Sequence, residues 1–157
     1  MARVKKSAGN SKNKTVIFDL DGTLADIAHR MPLIEGTKKR WKEFFLASTH
    51  DAPMTPVIEV CAALHRCGYT IRILSGRSES VRAQTIAWLE RHGVPYHSLT
   101  MRGSRDFRPD HVLKWAWLER LRTDGEDILC IFDDRTSVVA MWRERGLMCF
   151  QVAESSE

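Results

Sequence analysis

The sequence predicts an α/β fold, a parallel sheet of five strands with helices on both faces and a small helical insertion near its start. Short apolar runs at 15–18, 69–74, about 98–101, 128–132 and 148–152 alternate with segments of helical spacing at roughly 37–47, 55–67, 79–92, 109–121 and 136–145. That alternation is the pattern of strands joined by crossover helices. Three of the runs end in polar clusters, Asp19-Leu20-Asp21-Gly22-Thr23, Ser75-Gly76-Arg77 and Asp133-Asp134. In an open sheet of this kind ligands bind beyond the carboxyl ends of the strands, so all three clusters fall on one edge.

The elements follow in order. Thr15-Val16-Ile17-Phe18 is the first strand. The helix at 55–67 and the strand at 69–74 must also fit between Asp21 and Ser75, which leaves about 25–53 for a cap over the sheet edge. Cys67-Gly68, His92-Gly93-Val94-Pro95 and Arg145-Gly146 carry the glycine chemistry that closes helices. Ser78 is placed to cap the helix at 79–92. A helix, the short strand near 98–101 and their loops use up the residues between Ser75 and Lys114, so no second insertion fits there. Trp88 and Trp142 fall on apolar helical faces and read as core. Trp115 and Trp117 point about 160° apart at roughly 100° per residue, which leaves one of them for solvent, a cap or a subunit contact, and a homo-oligomer open.

Composition bounds the function classes. A chain of 157 residues with 43% hydrophobic and 28% charged residues fits one soluble domain. No stretch approaches the roughly 20 apolar residues of a membrane helix, and the start lacks a secretory pattern, so a cytoplasmic protein is expected. Cys61, Cys67, Cys130 and Cys149 form no CxxC pair and read as reduced core thiols, with neither disulfide nor zinc expected. The net charge of +4 comes largely from Arg3, Lys5, Lys6, Lys12 and Lys14, which precede the first strand; the rest of the chain holds 19 basic against 20 acidic residues. Residues 1–14 are therefore expected to be a disordered basic tail and 15–157 the folded domain.

The polar clusters carry the chemistry. Asp21-Gly22 alone is what a glycine turn after a strand looks like. Asp19 at the strand end and a second Asp pair elsewhere ask for more: two carboxylates two residues apart can divide a phosphoryl transfer, one attacking phosphorus and the other handling the proton. Asp133-Asp134 also suits a helix N-cap. If these four carboxylates converge, each pair at about 4 Å repels by roughly 4 kcal/mol at an effective dielectric of about 20. A cation must offset that, and an all-oxygen set with phosphate favours magnesium over zinc. The hydroxyl of Ser75, the backbone amides at Gly76 and the Arg77 guanidinium make a suitable phosphate cradle at a helix start. Lys114 follows Asp110 by four residues, so taken alone the two read as a solvated helical pair. Arg30, Lys38, Lys39, Arg40 and Lys42 give the cap a basic face beside Trp41, Phe44, Phe45 and Leu46.

The set Asp19-x-Asp21-Gly22-Thr23, Ser75, Lys114 and Asp133-Asp134 resembles the four motifs of the haloacid dehalogenase (HAD) superfamily of phosphotransferases, in order and over nearly the whole chain after residue 14. The stretches Phe132 to Arg143, Cys149-Phe150-Gln151-Val152-Ala153, His92-Gly93-Val94-Pro95 and Arg102 to Asp110 are more closely similar to the 3′-phosphatase domain of bacteriophage polynucleotide kinase-phosphatases. No GxxxxGK(S/T) phosphate loop of a kinase half occurs in the sequence.

The resemblance implies a Rossmann-like, HAD-like fold. It implies Asp19 as nucleophile, Asp21 as acid/base, and Ser75 and Lys114 as catalytic supports. Magnesium would be held by Asp19, the Asp21 carbonyl and one or both of Asp133 and Asp134. Arg30, Gly76, Arg77, Arg102, Arg108, Asp110 and Arg135 are the implied substrate-binding positions. The expected activity is removal of 3′-phosphates from nucleic-acid ends or nucleotides, in the host cytoplasm if the chain is phage-encoded. A 5′-nucleotidase for free nucleoside monophosphates and a non-catalytic protein that binds nucleic-acid ends are the two alternatives.

Overall fold

The computed structural model describes residues 13–155, so most of the expected basic tail lies outside the described residues. Strand β1 (Thr15–Phe18) leads into a two-residue strand β2 (Ala25–Asp26), a 3-10 helix (Ala28–Leu33), helix α1 (Trp41–Leu46), a second 3-10 turn (Ala47–His50) and β3 (Ala52–Pro53). Helix α2 (Thr55–Arg66), β4 (Thr70–Ser78), α3 (Arg82–Arg91), β5 (Ser98–Arg102), α4 (Asp110–Thr123), β6 (Ile128–Arg135), α5 (Thr136–Glu144) and β7 (Cys149–Ser155) follow.

Five strands form one sheet in the order β5-β4-β1-β6-β7, and every pairing in it is parallel. Strand side chains alternate between faces, and the two cores divide accordingly. Val16, Phe18, Ile71 and Ile73 pack on one face with Ile58 and Cys61 of α2 and Trp88 and Leu89 of α3. Ile17, Leu74 and Ile131 pack on the other with Leu118 of α4 and Val138, Val139 and Trp142 of α5. Helices on both faces of a parallel sheet are thus observed, with Trp88 and Trp142 in the core.

Register places the site. Phe18 sits beside Ile73 on one side and Phe132 on the other, so the residues that follow each strand emerge side by side. The Asp19 amide continues this by donating to the Phe132 carbonyl at 2.9 Å.

Several boundaries differ from expectation. β4 runs on through Ser75-Gly76-Arg77 to Ser78, because its partner β5 continues the pairing across an irregularity between Ser75 and Ser78. The helix expected at 37–47 is regular only over Trp41–Leu46. The antiparallel ribbon of β2 and β3, with Ala25 opposite Pro53, brackets the insertion and has no counterpart in the apolar pattern. Cys67 is exposed where a core thiol was expected, since it caps α2 just before Gly68 turns at φ +90°. Trp115 is 37% exposed and lies under the Arg145 guanidinium at 3.4 Å, whereas Trp117 packs against the second core. Among the described residues no helix is long and apolar enough to cross a membrane.

Candidate active site

Three carboxylates meet at the carboxyl edge of the sheet. Asp19 follows β1 while Asp133 and Asp134 end β6, and one oxygen from each lies within 4.8 Å of the others, all three side chains buried. Lys114 comes from one turn inside α4 and donates to Asp19 Oδ1 at 2.7 Å and to Asp133 Oδ2 at 2.8 Å. Trp142 Nε1 donates to the same Asp133 oxygen at 3.1 Å. The other oxygen of Asp133 accepts from the backbone amide of Asp134 at 3.0 Å. Thr23 Oγ1 donates to Asp134 at 3.4 Å.

The expected Lys114–Asp110 pair is not formed. Lys114 is buried and turned to Asp19 and Asp133, and Asp110 instead binds Arg102 and, at 2.6 Å, Arg135. Spacing of four residues permits such a pair, but two buried carboxylates compete for the ammonium more strongly than a single one that Arg102 and Arg135 already hold.

Electrostatics leave this cluster short of positive charge. Burial holds the Asp19 carboxyl well above its ordinary range, with Asp133 and Asp134 adding to the rise and Lys114 opposing it. Asp134 is raised by burial and by Asp133. Lys114 is held ionised by Asp133 and Asp19 against the opposing effect of burial. One ammonium facing three packed carboxylates is the donor set of a hard divalent cation, so the residues present fit magnesium. Gly22 frames the same place: it turns at φ +84°, and a Cβ there would overlap the Asp134 carboxylate.

Asp21 is not one of the three clustered carboxylates. Its side chain turns to Arg30 Nη2 at 2.8 Å, to Arg77 Nε at 3.1 Å and to a closer contact with Arg77 Nη2. Burial alone would raise its carboxyl, yet Arg77 and Arg30 overcome this and hold it below the ordinary value. Both arginines are buried, which differs from the open phosphate cradle expected of Arg77 and from the basic cap face expected of Arg30. Their second carboxylate partner is Asp51, which accepts from Arg30 Nε at 2.8 Å, Arg30 Nη2 at 2.9 Å and Arg77 Nη2 at 3.0 Å. Asp51 is fully enclosed, contacts His29 at 2.9 Å and offers its backbone carbonyl to Trp88 Nε1 at 2.9 Å. The Arg30 guanidinium also lies over the Phe44 ring at 4.2 Å, tying the insertion to Asp21.

Asp51 is the residue that sequence reasoning missed. It sits alone before β3 with no motif around it. The available signal was indirect, since two buried arginines need more negative charge than Asp21 supplies.

The remaining predicted positions surround the edge. Ser75 is buried, and its Oγ accepts from the Arg77 amide at 3.2 Å. Gly76 lies so close to Asp110 that a Cβ would come within 2.5 Å of its carboxylate. Arg102 Nε donates to the Gly76 carbonyl at 3.1 Å. Arg108 is exposed and engages Asp106.

A sequence-family model described as the polynucleotide kinase PNKP phosphatase domain matches residues 13–156. A putative bifunctional polynucleotide kinase/RNA ligase of Autographa californica nuclear polyhedrosis virus is 29% identical over 138 residues, covering 87% of this chain and 19% of that protein. A chain from a Pnkp1/Rnl/Hen1 RNA repair complex is 30% identical with a TM-score of 0.81, over 99% of this chain and 49% of its own length. The class C acid phosphatase of Bacillus anthracis shares the fold, with a TM-score of 0.64 at 19% identity over 82% of this chain and 55% of its own. The chain thus spans about a fifth of the viral relative and half of the RNA-repair chain. A family match along almost the whole described chain, on a HAD-like fold, makes this chain a member of the polynucleotide kinase PNKP phosphatase domain family.

Proposed function

We propose that the domain is a magnesium-dependent phosphomonoesterase that removes 3′-phosphates from nucleic-acid ends or nucleotides through an aspartyl-phosphate on Asp19. The meeting of Asp19, Asp133, Asp134 and Lys114 carries this reading. The family, and relatives named for polynucleotide kinase and RNA repair, support a nucleic-acid substrate. A viral relative supports a phage or viral origin.

In the first step a carboxylate oxygen of Asp19 bonds to phosphorus as the bond to the ester oxygen breaks, and the departing alkoxide takes a proton from Asp21. Arg77 and Arg30 hold Asp21 ionised in the free domain, and it takes up that proton from solvent as the phosphate dianion binds. A water oxygen then bonds to phosphorus, the bond to Asp19 breaks, and the water proton returns to Asp21. Alcohol and inorganic phosphate leave, with both aspartates in their starting forms. Arg30 and Arg77 fix the orientation of Asp21. Lys114 keeps Asp19 from repelling the incoming phosphate dianion, and Ser75 with the amides after it faces the phosphoryl oxygens. Magnesium bound by Asp19, the Asp21 carbonyl and Asp133 or Asp134 would add charge against those oxygens. Uncatalysed monoester hydrolysis leaves up to about 21 orders of magnitude to supply, so no single one of these contacts suffices. Residues 25–53 act as a small cap in this scheme and leave room for a bulky ester.

Phosphate release from a 3′-phosphorylated oligonucleotide, nucleoside 3′-monophosphates and 5′-monophosphates, with magnesium or a chelator, tests the reading. Release from 3′ esters that is lost on chelation and in Asp19→Asn is expected. Release from 5′-monophosphates alone would replace it with a 5′-nucleotidase. No release from any phosphomonoester would leave a protein that binds ends without catalysis.

A further inference from the structure

Phe107 is the most exposed large apolar side chain among the described residues, at 90%. Single exposed apolar residues are common and need no explanation when they sit on mobile or remote surface. Phe107 sits on neither. Arg102 gathers the loop that carries it: Nη1 donates to the Asp106 carbonyl at 2.9 Å and to the Arg108 carbonyl at 2.6 Å, on either side of Phe107. The Asp106 amide closes a turn onto Gly103 at 2.9 Å, and the Asp106 carboxylate accepts from the Arg108 amide at 3.1 Å. The backbone is therefore held while the ring stands in water.

The same guanidinium fixes the loop to the catalytic edge. Arg102 Nε reaches the Gly76 carbonyl at 3.1 Å, and Nη2 binds Asp110. Asp110 begins α4, whose next turn delivers Lys114 to Asp19. The ring thus projects from a loop bolted to both the Ser75-Gly76 segment and the helix that carries the catalytic lysine. Arg105 and Arg108 flank it and are exposed; Arg108 is paired with Asp106, which leaves a net positive charge beside the ring that attracts a polyanion.

We propose that Phe107 is a stacking platform for a nucleobase at the 3′ end of the substrate, beside the phosphate to be removed; this rests on the 3′-phosphatase reading above. A base offers a flat π-face of any identity, and an aromatic ring held in place stacks on it without reading its edge. The proposal assigns the domain a preference for termini that carry a base, with no strong base identity. Stacking contributes equally before and during phosphoryl transfer, so it acts on KM and not on kcat.

The test uses two oligonucleotides of one sequence with a 3′-phosphate, one ending in normal nucleotides and one in two abasic sugars. Phe107→Ala is expected to raise KM about tenfold on the first and to leave the second unchanged. Phe107→Trp is expected to restore the first, and Phe107→Leu to restore it only in part. Equal loss on both substrates, or no change on either, overturns the proposal while the wild-type rate on both still supports the 3′-phosphatase reading. No turnover of either substrate by the wild type overturns that reading, and the stacking role with it.

Discussion

Lys114 and Asp19 are 95 positions apart in the chain and form a buried ion pair of 2.7 Å. The same ammonium holds Asp133 at 2.8 Å, so a single cation ties the ends of β1 and β6 to α4. Deleting one partner of a buried pair destabilises by about 3–5 kcal/mol because the other charge is left without compensation. Lys114→Met is therefore expected to melt well below the wild type in a chelator, to regain part of the loss in magnesium, and to lose turnover in both. An unchanged melting temperature in chelator would show that the pair contributes nothing net to the fold.

Asp134→Asn separates charge repulsion from metal binding. Burial and Asp133 already raise the Asp134 carboxyl, so removing its charge relieves the cluster, and the variant is expected to melt above the wild type in chelator. Magnesium that binds only the folded state adds about 2.7 kcal/mol at a hundredfold excess over its Kd. That gain should shrink in the variant. Equal magnesium-induced shifts in the two proteins, read by differential scanning fluorimetry, would remove Asp134 from the cation site.

Gly22→Ala strains the same corner from the backbone side. An alanine at φ +84° is disfavoured, and its Cβ would overlap the Asp134 carboxylate. Substituting alanine where φ is positive costs more than the roughly 0.4–1 kcal/mol it gains elsewhere. Chemical denaturation should show a loss above about 1 kcal/mol, together with weaker magnesium stabilisation. A variant that keeps both would mean that Asp134 moves aside freely.

The sheet, and the meeting of three carboxylates of the candidate site at its edge, were legible in the sequence because they depend on local pattern. Apolar runs of four to six residues mark strands, parallel strands place their carboxyl ends together, and Asp19, Asp133 and Asp134 lie at two such ends. The antiparallel ribbon was not legible, since two residues per strand hold no period. Lys114 was misleading when read locally, because Asp110 at four residues' distance looks like a sufficient partner until α4 docks on the sheet. Arg30 and Arg77 were found as positions, but the direction of their side chains depends on Asp51, whose place is set only when the insertion closes through β2 and β3.

Glu126 links acid stability to the opposite end of the sheet. Its carboxylate accepts from Thr15 Oγ1 at 2.7 Å and from Arg72 Nη2 at 2.6 Å, joining the starts of β1 and β4. Partial burial would raise it, but Arg72 and Thr15 hold it below its ordinary value. A carboxyl depressed by folding contributes stability that is complete above the unfolded pKa of about 4.3 and is lost as pH falls through the folded value. Glu126→Gln should therefore lower stability at pH 7 by about 1 kcal/mol and flatten its decline below about pH 4.5. Parallel melting curves of the two proteins from pH 3 to 7 would sink the assignment.

Asp51→Asn asks whether the enclosed ion network serves the fold or the chemistry. The carboxylate receives both Arg30 and Arg77, and the two arginines in turn fix Asp21. An amide of the same shape cannot accept from two guanidiniums with both atoms, so Arg30 and Arg77 are left with one carboxylate between them and pull Asp21 from its position. A loss of about 3–5 kcal/mol in stability is expected from the uncompensated charge. If the network positions Asp21, kcat per folded molecule also falls at least tenfold at temperatures where the variant is fully folded, with KM for the phosphoester unchanged. If kcat per folded molecule is retained, the network holds the insertion closed and Asp21 needs no help from Asp51.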